Sequence, residues 1–103
     1  LVEPKSGYSY ECEVIFLTGR DAKFRAQTAN WLLRNRLWSA SSQLHMRPAG
    51  NREADIVVKS RIYREHIEPN FDVWFVLEDR NRVVKMWREE FGLTVLQPRE
   101  GDY

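Results

Sequence analysis

Val14-Ile15-Phe16-Leu17 is an unbroken apolar run closed by Thr18-Gly19-Arg20, the pattern of a strand buried on both faces that ends in a turn. From Asp21 to about Arg36 the period changes: Phe24, Trp31 and Leu32, with Thr28 between them, fall at helical spacing, and Asp21 stands where an N-cap belongs. Gln43-Leu44-His45-Met46 reads as a brief strand before the turn-rich Pro48-Ala49-Gly50-Asn51. A second amphipathic helix is predicted over Asp55 to Ile67, carried by Val57, Val58, Ile62 and Ile67 and stopped near Pro69. Val73-Trp74-Phe75-Val76-Leu77, bounded by Asp72 and by Glu78-Asp79-Arg80, is the strongest strand signal in the chain. Val83, Val84, Trp87 and Phe91 then repeat at i, i+1, i+4 and i+8, Gly92 sits where a glycine ends a helix, and Leu93-Thr94-Val95-Leu96 reads as a last strand. Buried strands alternating with helices imply an α/β fold, a three-layer Rossmann-like parallel sheet with helices on both faces.

Composition narrows this picture. A chain of 103 residues, 43% hydrophobic and 30% charged, suits one soluble globular domain. Lys+Arg 16 against Asp+Glu 15 gives no global pull toward nucleic acid or an anionic membrane, so phosphate binding must come from local clusters of Arg and Lys. Cys12 is the only cysteine, which excludes an internal disulfide or a cysteine zinc cage; lying just before the apolar run that starts at Val14, it is expected to be packed. No apolar stretch approaches the ~20 residues of a membrane span, and the opening Leu-Val-Glu-Pro-Lys-Ser-Gly lacks the pattern of a signal peptide. A cytoplasmic protein without a membrane partner is the expectation.

In an open parallel sheet, function gathers beyond the carboxyl ends of the strands. Two such ends are polar here, Thr18-Gly19-Arg20 and Glu78-Asp79-Arg80. A hydroxyl beside backbone N–H groups can hold a phosphate oxygen, and paired carboxylates can hold a hard cation such as Mg²⁺. Taken singly, each is more often an ordinary turn or helix cap. Their joint position raises the functional reading. Lys59 follows Asp55 by four residues, which reads either as a surface ion pair worth about 0.3–0.5 kcal/mol or as an ammonium placed beside a phosphate; spacing alone favours the former. Arg47 can offer a bidentate fork to a phosphate from a mobile loop, or be a solvated loop arginine. His45 and His66 lack a ligand partner at metal-binding spacing, so packing or surface roles are expected. Of the four tryptophans, Trp31, Trp74 and Trp87 are assigned to the core and Trp38 to an exposed stacking position.

The run from Phe71 through Leu77-Glu78-Asp79-Arg80 to Arg88, together with the ending Gly101-Asp102-Tyr103, resembles the last acidic motif and following helix of phage-type polynucleotide kinase 3′-phosphatase domains of the haloacid dehalogenase superfamily. The likeness extends to Gly50-Asn51, Asp55-Ile56-Val57-Val58-Lys59 and Phe16-Leu17-Thr18-Gly19-Arg20, and so covers nearly the whole chain. It implies that Thr18, Gly19 and Arg20 contact the substrate phosphate, that Lys59 neutralises it, and that Asp79 helps hold Mg²⁺. Arg47 would face the substrate, with Asp55 in a polar network near Lys59. Two departures stand out. Glu78 replaces the usual first Asp of an Asp-Asp-Arg motif, and no Asp-x-Asp occurs anywhere in the chain. In the family that motif ends a central strand, its first Asp attacking phosphorus and its second acting as general acid and base.

The resemblance therefore implies one amino-terminally incomplete domain, residues 1–103, lacking the central strand of its sheet. The strands at Val14 and Val73 must then either pair directly or leave a gap. The expected activity of the full-length protein is Mg²⁺-dependent hydrolysis of a 3′-terminal phosphomonoester on RNA or DNA in end repair, with an attached kinase domain as a conceivable neighbour. The alternatives are a non-catalytic degenerate domain that binds phosphate or a partner chain, and a phosphatase for a small nucleotide or sugar phosphate.

Overall fold

The computed structural model describes residues 1–5 and 12–103. Its elements, in chain order, are β1 (Val2–Pro4), β2 (Ile15–Asp21), α1 (Arg25–Arg34), β3 (Gln43–Arg47), α2 (Asp55–Ile62), β4 (Phe71–Val73), β5 (Val76–Leu77), α3 (Asn81–Glu89) and β6 (Val95–Leu96). A 3₁₀ turn over Ala22–Phe24 leads into α1, and a π-helical turn over Tyr63–Ile67 extends α2. α3 buries the face its periodicity predicts, whereas α1 buries only Leu32 of its spaced apolar positions. No helix among the described residues is long and apolar enough to cross a membrane.

Asp21 caps the first helical turn as expected, its Oδ1 accepting from Lys23 N–H at 2.8 Å. That bond, with a second from Gly50 N–H, holds the Asp21 carboxyl below its ordinary range. Gly50 sits at φ +75°, a conformation that costs an L side chain energy. Gly92, at φ +63°, ends α3 while Leu93 N–H reaches back to the Trp87 carbonyl at 3.0 Å.

Strand pairing departs from the expected single parallel sheet. Among the described residues there are three two-stranded pairs: β2 with β3 parallel, β5 with β6 parallel, and β1 with β4 antiparallel. The run Val73–Leu77 is divided, because its first part pairs with β1 and its second with β6. At the break Trp74 turns outward, and its indole N–H donates to Glu3 Oε2 at 2.9 Å.

The Val14 and Val73 strands neither pair directly nor stand wholly apart. Val2 bridges them at one end, matched to Val73 on one side and to Glu13 on the other. Beyond Leu1 the two part, leaving a groove of about 280 Å³ lined from both strands and closed by Tyr63, Trp87 and Leu93. Each strand has a ladder partner on one side here, β3 for β2 and β6 for β5. The buried indole N–H of Trp87, which lines this groove, meets no acceptor among the described residues.

The main core gathers Tyr63, Ile67, Phe71, Val83, Val84 and Trp87 with Val2, Met86 and Val95. α3 supplies the face predicted by its periodicity, and truncating a buried aromatic such as Trp87 to Ala costs about 3–5 kcal/mol. A second cluster joins Leu32 of α1 to Leu44 and Met46 of β3. Three packing expectations are overturned. Trp31 and Trp74 are 53% and 48% exposed, whereas Trp38 is half-buried and stacks on Phe16 at 6.1 Å. Sheet pairing ahead of β2 begins at Glu13, so Cys12 lies beyond the edge and is exposed. In α2, Val57 is 40% exposed and Lys59 occupies the inward face with Val58 and Ile62.

Candidate functional site

β2 and β5 point their carboxyl ends toward one cavity of about 460 Å³, lined by Thr18, Gly19, Arg20, Arg47, Asp55, Lys59, Glu78, Asp79, Arg80 and Tyr103. Every residue singled out for phosphate or metal binding from the sequence lines this space. Strand geometry explains the assembly: the parallel pairing of β2 and β3 slips between Thr18 and Asp21, and such a bulge re-aims side chains at a strand end. The strand itself continues through Thr18-Gly19-Arg20 to Asp21, where a turn had been expected.

Asp55, at the start of α2, is the hub. Its carboxylate meets Arg47 at 3.4 Å, Lys59 at 3.3 Å and Arg80 at 3.0 Å. Gly19 makes room for it, since a Cβ at that position would stand 2.2 Å from Asp55 Oδ1. Lys59, 7% exposed, also bonds Glu78 Oε2 at 3.1 Å. It is thus a buried ammonium bridging two carboxylates, and the surface ion pair that spacing alone favoured is not what forms. Burying such a charge is tolerable only because both partners compensate its lost hydration.

Arg47 is likewise different from its expected loop setting. It ends β3, its Nε donates to the Gly19 carbonyl at 2.8 Å, and its other nitrogens reach Asn51 Oδ1, the Glu53 carbonyl and Asp55. The fork expected to face a phosphate is spent on tying β2, β3 and α2 together. Glu53 is in turn clasped by Arg61, whose hydrogen bonds hold its carboxyl down to about 2.

The remaining wall is formed by the residues after β5 and the end of the chain. Glu78 Oε1 accepts from Arg80 N–H at 3.2 Å. Asp79 Oδ1 accepts from the Tyr103 hydroxyl at 2.8 Å, which raises the pKa of that phenol, and the Arg80 guanidinium lies 4.8 Å from the Tyr103 ring centre. Arg80 and Tyr103 are the two wall residues that were given no role from sequence. The signal for Arg80 was its place directly after the acidic pair; Tyr103 carried none beyond the likeness of the chain's ending.

Four cations, Arg20, Arg47, Lys59 and Arg80, thus face three carboxylates, Asp55, Glu78 and Asp79. The small positive excess suits an anion. Thr18 Oγ1 accepts from Arg20 N–H at 3.2 Å, which leaves the hydroxyl proton to donate outward. Among the described residues no group of three or more His, Cys, Asp or Glu side chains is placed to hold a metal ion. Asp55 and Glu78 are engaged by cations, so Asp79 is the carboxylate best suited to one. A Mg²⁺ ion that keeps most of its water and takes one protein carboxylate fits that donor set. His45 and His66 lie apart from the cavity, stacked on each other at 5.3 Å.

Comparison with known proteins gives this arrangement a family. A viral protein of Autographa californica nuclear polyhedrosis virus, provisionally named a bifunctional polynucleotide kinase/RNA ligase, is 28% identical over 81 residues, 78% of this chain and 11% of its own length. A chain in the solved Pnkp1/Rnl/Hen1 RNA repair complex superposes with a TM-score of 0.83 and 34% identity over 88% of this chain, and a chain in a second structure of that complex gives 0.81 and 35%. The present chain spans 29% and 31% of those two chains. The model of the polynucleotide kinase PNKP phosphatase domain matches residues 4–103, and the chain belongs to that family.

Proposed function

We propose that these residues form the phosphate-binding and metal-holding side of a polynucleotide 3′-phosphatase acting in nucleic-acid end repair. The observation that carries this reading is the convergence of Thr18, Arg20, Lys59 and Asp79 on one cavity at the carboxyl ends of β2 and β5. Family membership and the likeness to chains of an RNA repair complex support it. In this reading the Thr18 hydroxyl and the Arg20 guanidinium bind the non-bridging oxygens of the terminal phosphate. Lys59, held by Asp55 and Glu78, places a fixed positive charge where negative charge develops. Asp79 would hold Mg²⁺, whose contribution is further neutralisation of the phosphoryl oxygens. Glu78 orients Lys59 rather than reaching the metal, consistent with the 3.1 Å contact between them.

The nucleophile is not among the 103 residues, since no Asp-x-Asp occurs in them. We place it on a strand from outside this segment, seated in the groove between β2 and β5. That groove is lined by Lys59 and Glu78, which also line the polar cavity, so a strand parallel to its neighbours would deliver its last residues there. This also makes the domain a part of a larger three-layer fold.

The test is phosphate release from a 3′-phosphorylated oligonucleotide by a complete protein containing these residues. Activity should require Mg²⁺ and vanish with a chelator. Arg20→Ala and Lys59→Ala should each lower kcat about 100- to 1,000-fold, the usual loss on removing a charge-stabilising group. An Asp79→Ala protein that kept both its activity and its Mg²⁺ dependence would sink the assignment. For the 103 residues alone, the missing Asp-x-Asp favours a second outcome, phosphate binding without turnover. Sustained phosphate release by the isolated chain would contradict that.

A further inference from the structure

Tyr103 has a position that the phosphate chemistry does not explain. It lines the polar cavity, yet the residue is 57% exposed. Its placement is built by the preceding residues. Gly101 N–H donates to Asn81 Oδ1 at 3.1 Å, and Asn81 N–H donates back to the Gly101 carbonyl at 2.7 Å. A Cβ on Gly101 would lie 2.4 Å from the Tyr103 ring and 2.7 Å from the Asp79 carbonyl, so the ring folds back over a backbone that only glycine can supply. The hydroxyl is then pinned to Asp79 and one face of the ring is covered by Arg80.

A polynucleotide end brings more than its phosphate: the terminal base must rest somewhere beside the cavity. We infer that Tyr103 is the stacking platform for that base, a specificity-determining residue that separates a nucleotide end from a bare phosphate. An aromatic face accepts any base, so the preference it creates is for nucleic acid rather than for one sequence. Arg80, behind the ring, fixes its plane and contributes positive charge toward the strand backbone. The inference rests on the polynucleotide reading above.

The experiment measures binding of the 103-residue chain to a single-stranded 3′-phosphorylated oligonucleotide and to inorganic phosphate, and takes the ratio of the two affinities. Tyr103→Ala should lower that ratio about 5- to 150-fold, corresponding to ~1–3 kcal/mol for one stacked base. Tyr103→Phe, which keeps the ring and loses the bond to Asp79, should hold the ratio near that of the unsubstituted chain. An oligonucleotide whose last sugar lacks a base should bind the unsubstituted chain as weakly as the complete one binds the Tyr103→Ala chain. An unchanged ratio in Tyr103→Ala, or an equal loss in Tyr103→Phe, overturns the stacking role while leaving the phosphatase reading intact. An unsubstituted chain that binds phosphate but shows no preference for the oligonucleotide overturns both.

Discussion

At the scale of single residues, Asp55 decides more than its place in the sequence suggests. Three cations from β3, α2 and the start of α3 meet on one carboxylate. Asp55→Ala should destabilise the fold by about 3 kcal/mol, because it leaves the buried Lys59 with one partner; denaturant unfolding measures this. Gly19→Ala should act on the same hub from the other side, costing about 1–3 kcal/mol as the new Cβ forces the Asp55 carboxylate aside. His45 offers a pH prediction. Burial, then the neighbouring His66 and Arg25, lowers its pKa below 6.5. The unfolded chain therefore takes up this proton first as pH falls, so the stabilisation is complete above pH 6.5 and is lost as pH drops toward the folded-state value. Melting temperatures between neutral and mildly acid pH should show that decline, and His45→Gln should flatten part of it. Of these contacts the Asp55–Lys59 pair is local, whereas those to Arg80 and Glu78 come from distant segments, which is why the i,i+4 spacing could reveal the proximity of Asp55 and Lys59 but not their burial.

At the scale of elements, helix periods were legible and strand partners were not. Val83, Val84 and Trp87 bury the face their spacing requires, whatever lies opposite, because an amphipathic helix needs only some apolar surface to cover it. The run Val73–Leu77 reads as one strand, yet its ladder changes from antiparallel β1 to parallel β6 partway along. A strand's hydrogen bonds go to whichever chain lies beside it, and its own residues do not name that neighbour. The groove between β2 and β5 is the consequence with a test. An apolar strand peptide of about five or six residues should bind there and change the fluorescence of Trp87, which lines it. At a hundredfold excess over Kd it should add about 2.7 kcal/mol of stability, a rise in Tm of roughly 10 °C or more for a domain this small. A peptide of the same length with a charge at its centre should do neither.

For the whole molecule, the chain is an α/β unit of its family that gathers the polar residues at the ends of β2 and β5 around one cavity and leaves an apolar groove between those strands. The acidic and basic groups, the Thr-Gly-Arg and Glu-Asp-Arg strand ends and the order of helices were all readable from the chain, because each depends on residues a few positions apart. The absence of Asp-x-Asp was readable in the same way, whereas the expectation of a central gap or a direct pairing came only from the family resemblance. Tertiary structure alone decided that Lys59 is buried between two carboxylates, that Arg47 is spent on the scaffold, that Trp31 and Trp74 face outward and that Tyr103 closes over Asp79. Those outcomes turn on which distant segments share a volume and who is left to satisfy each buried charge. Periodicity says that a residue is on a face; only packing says what that face meets.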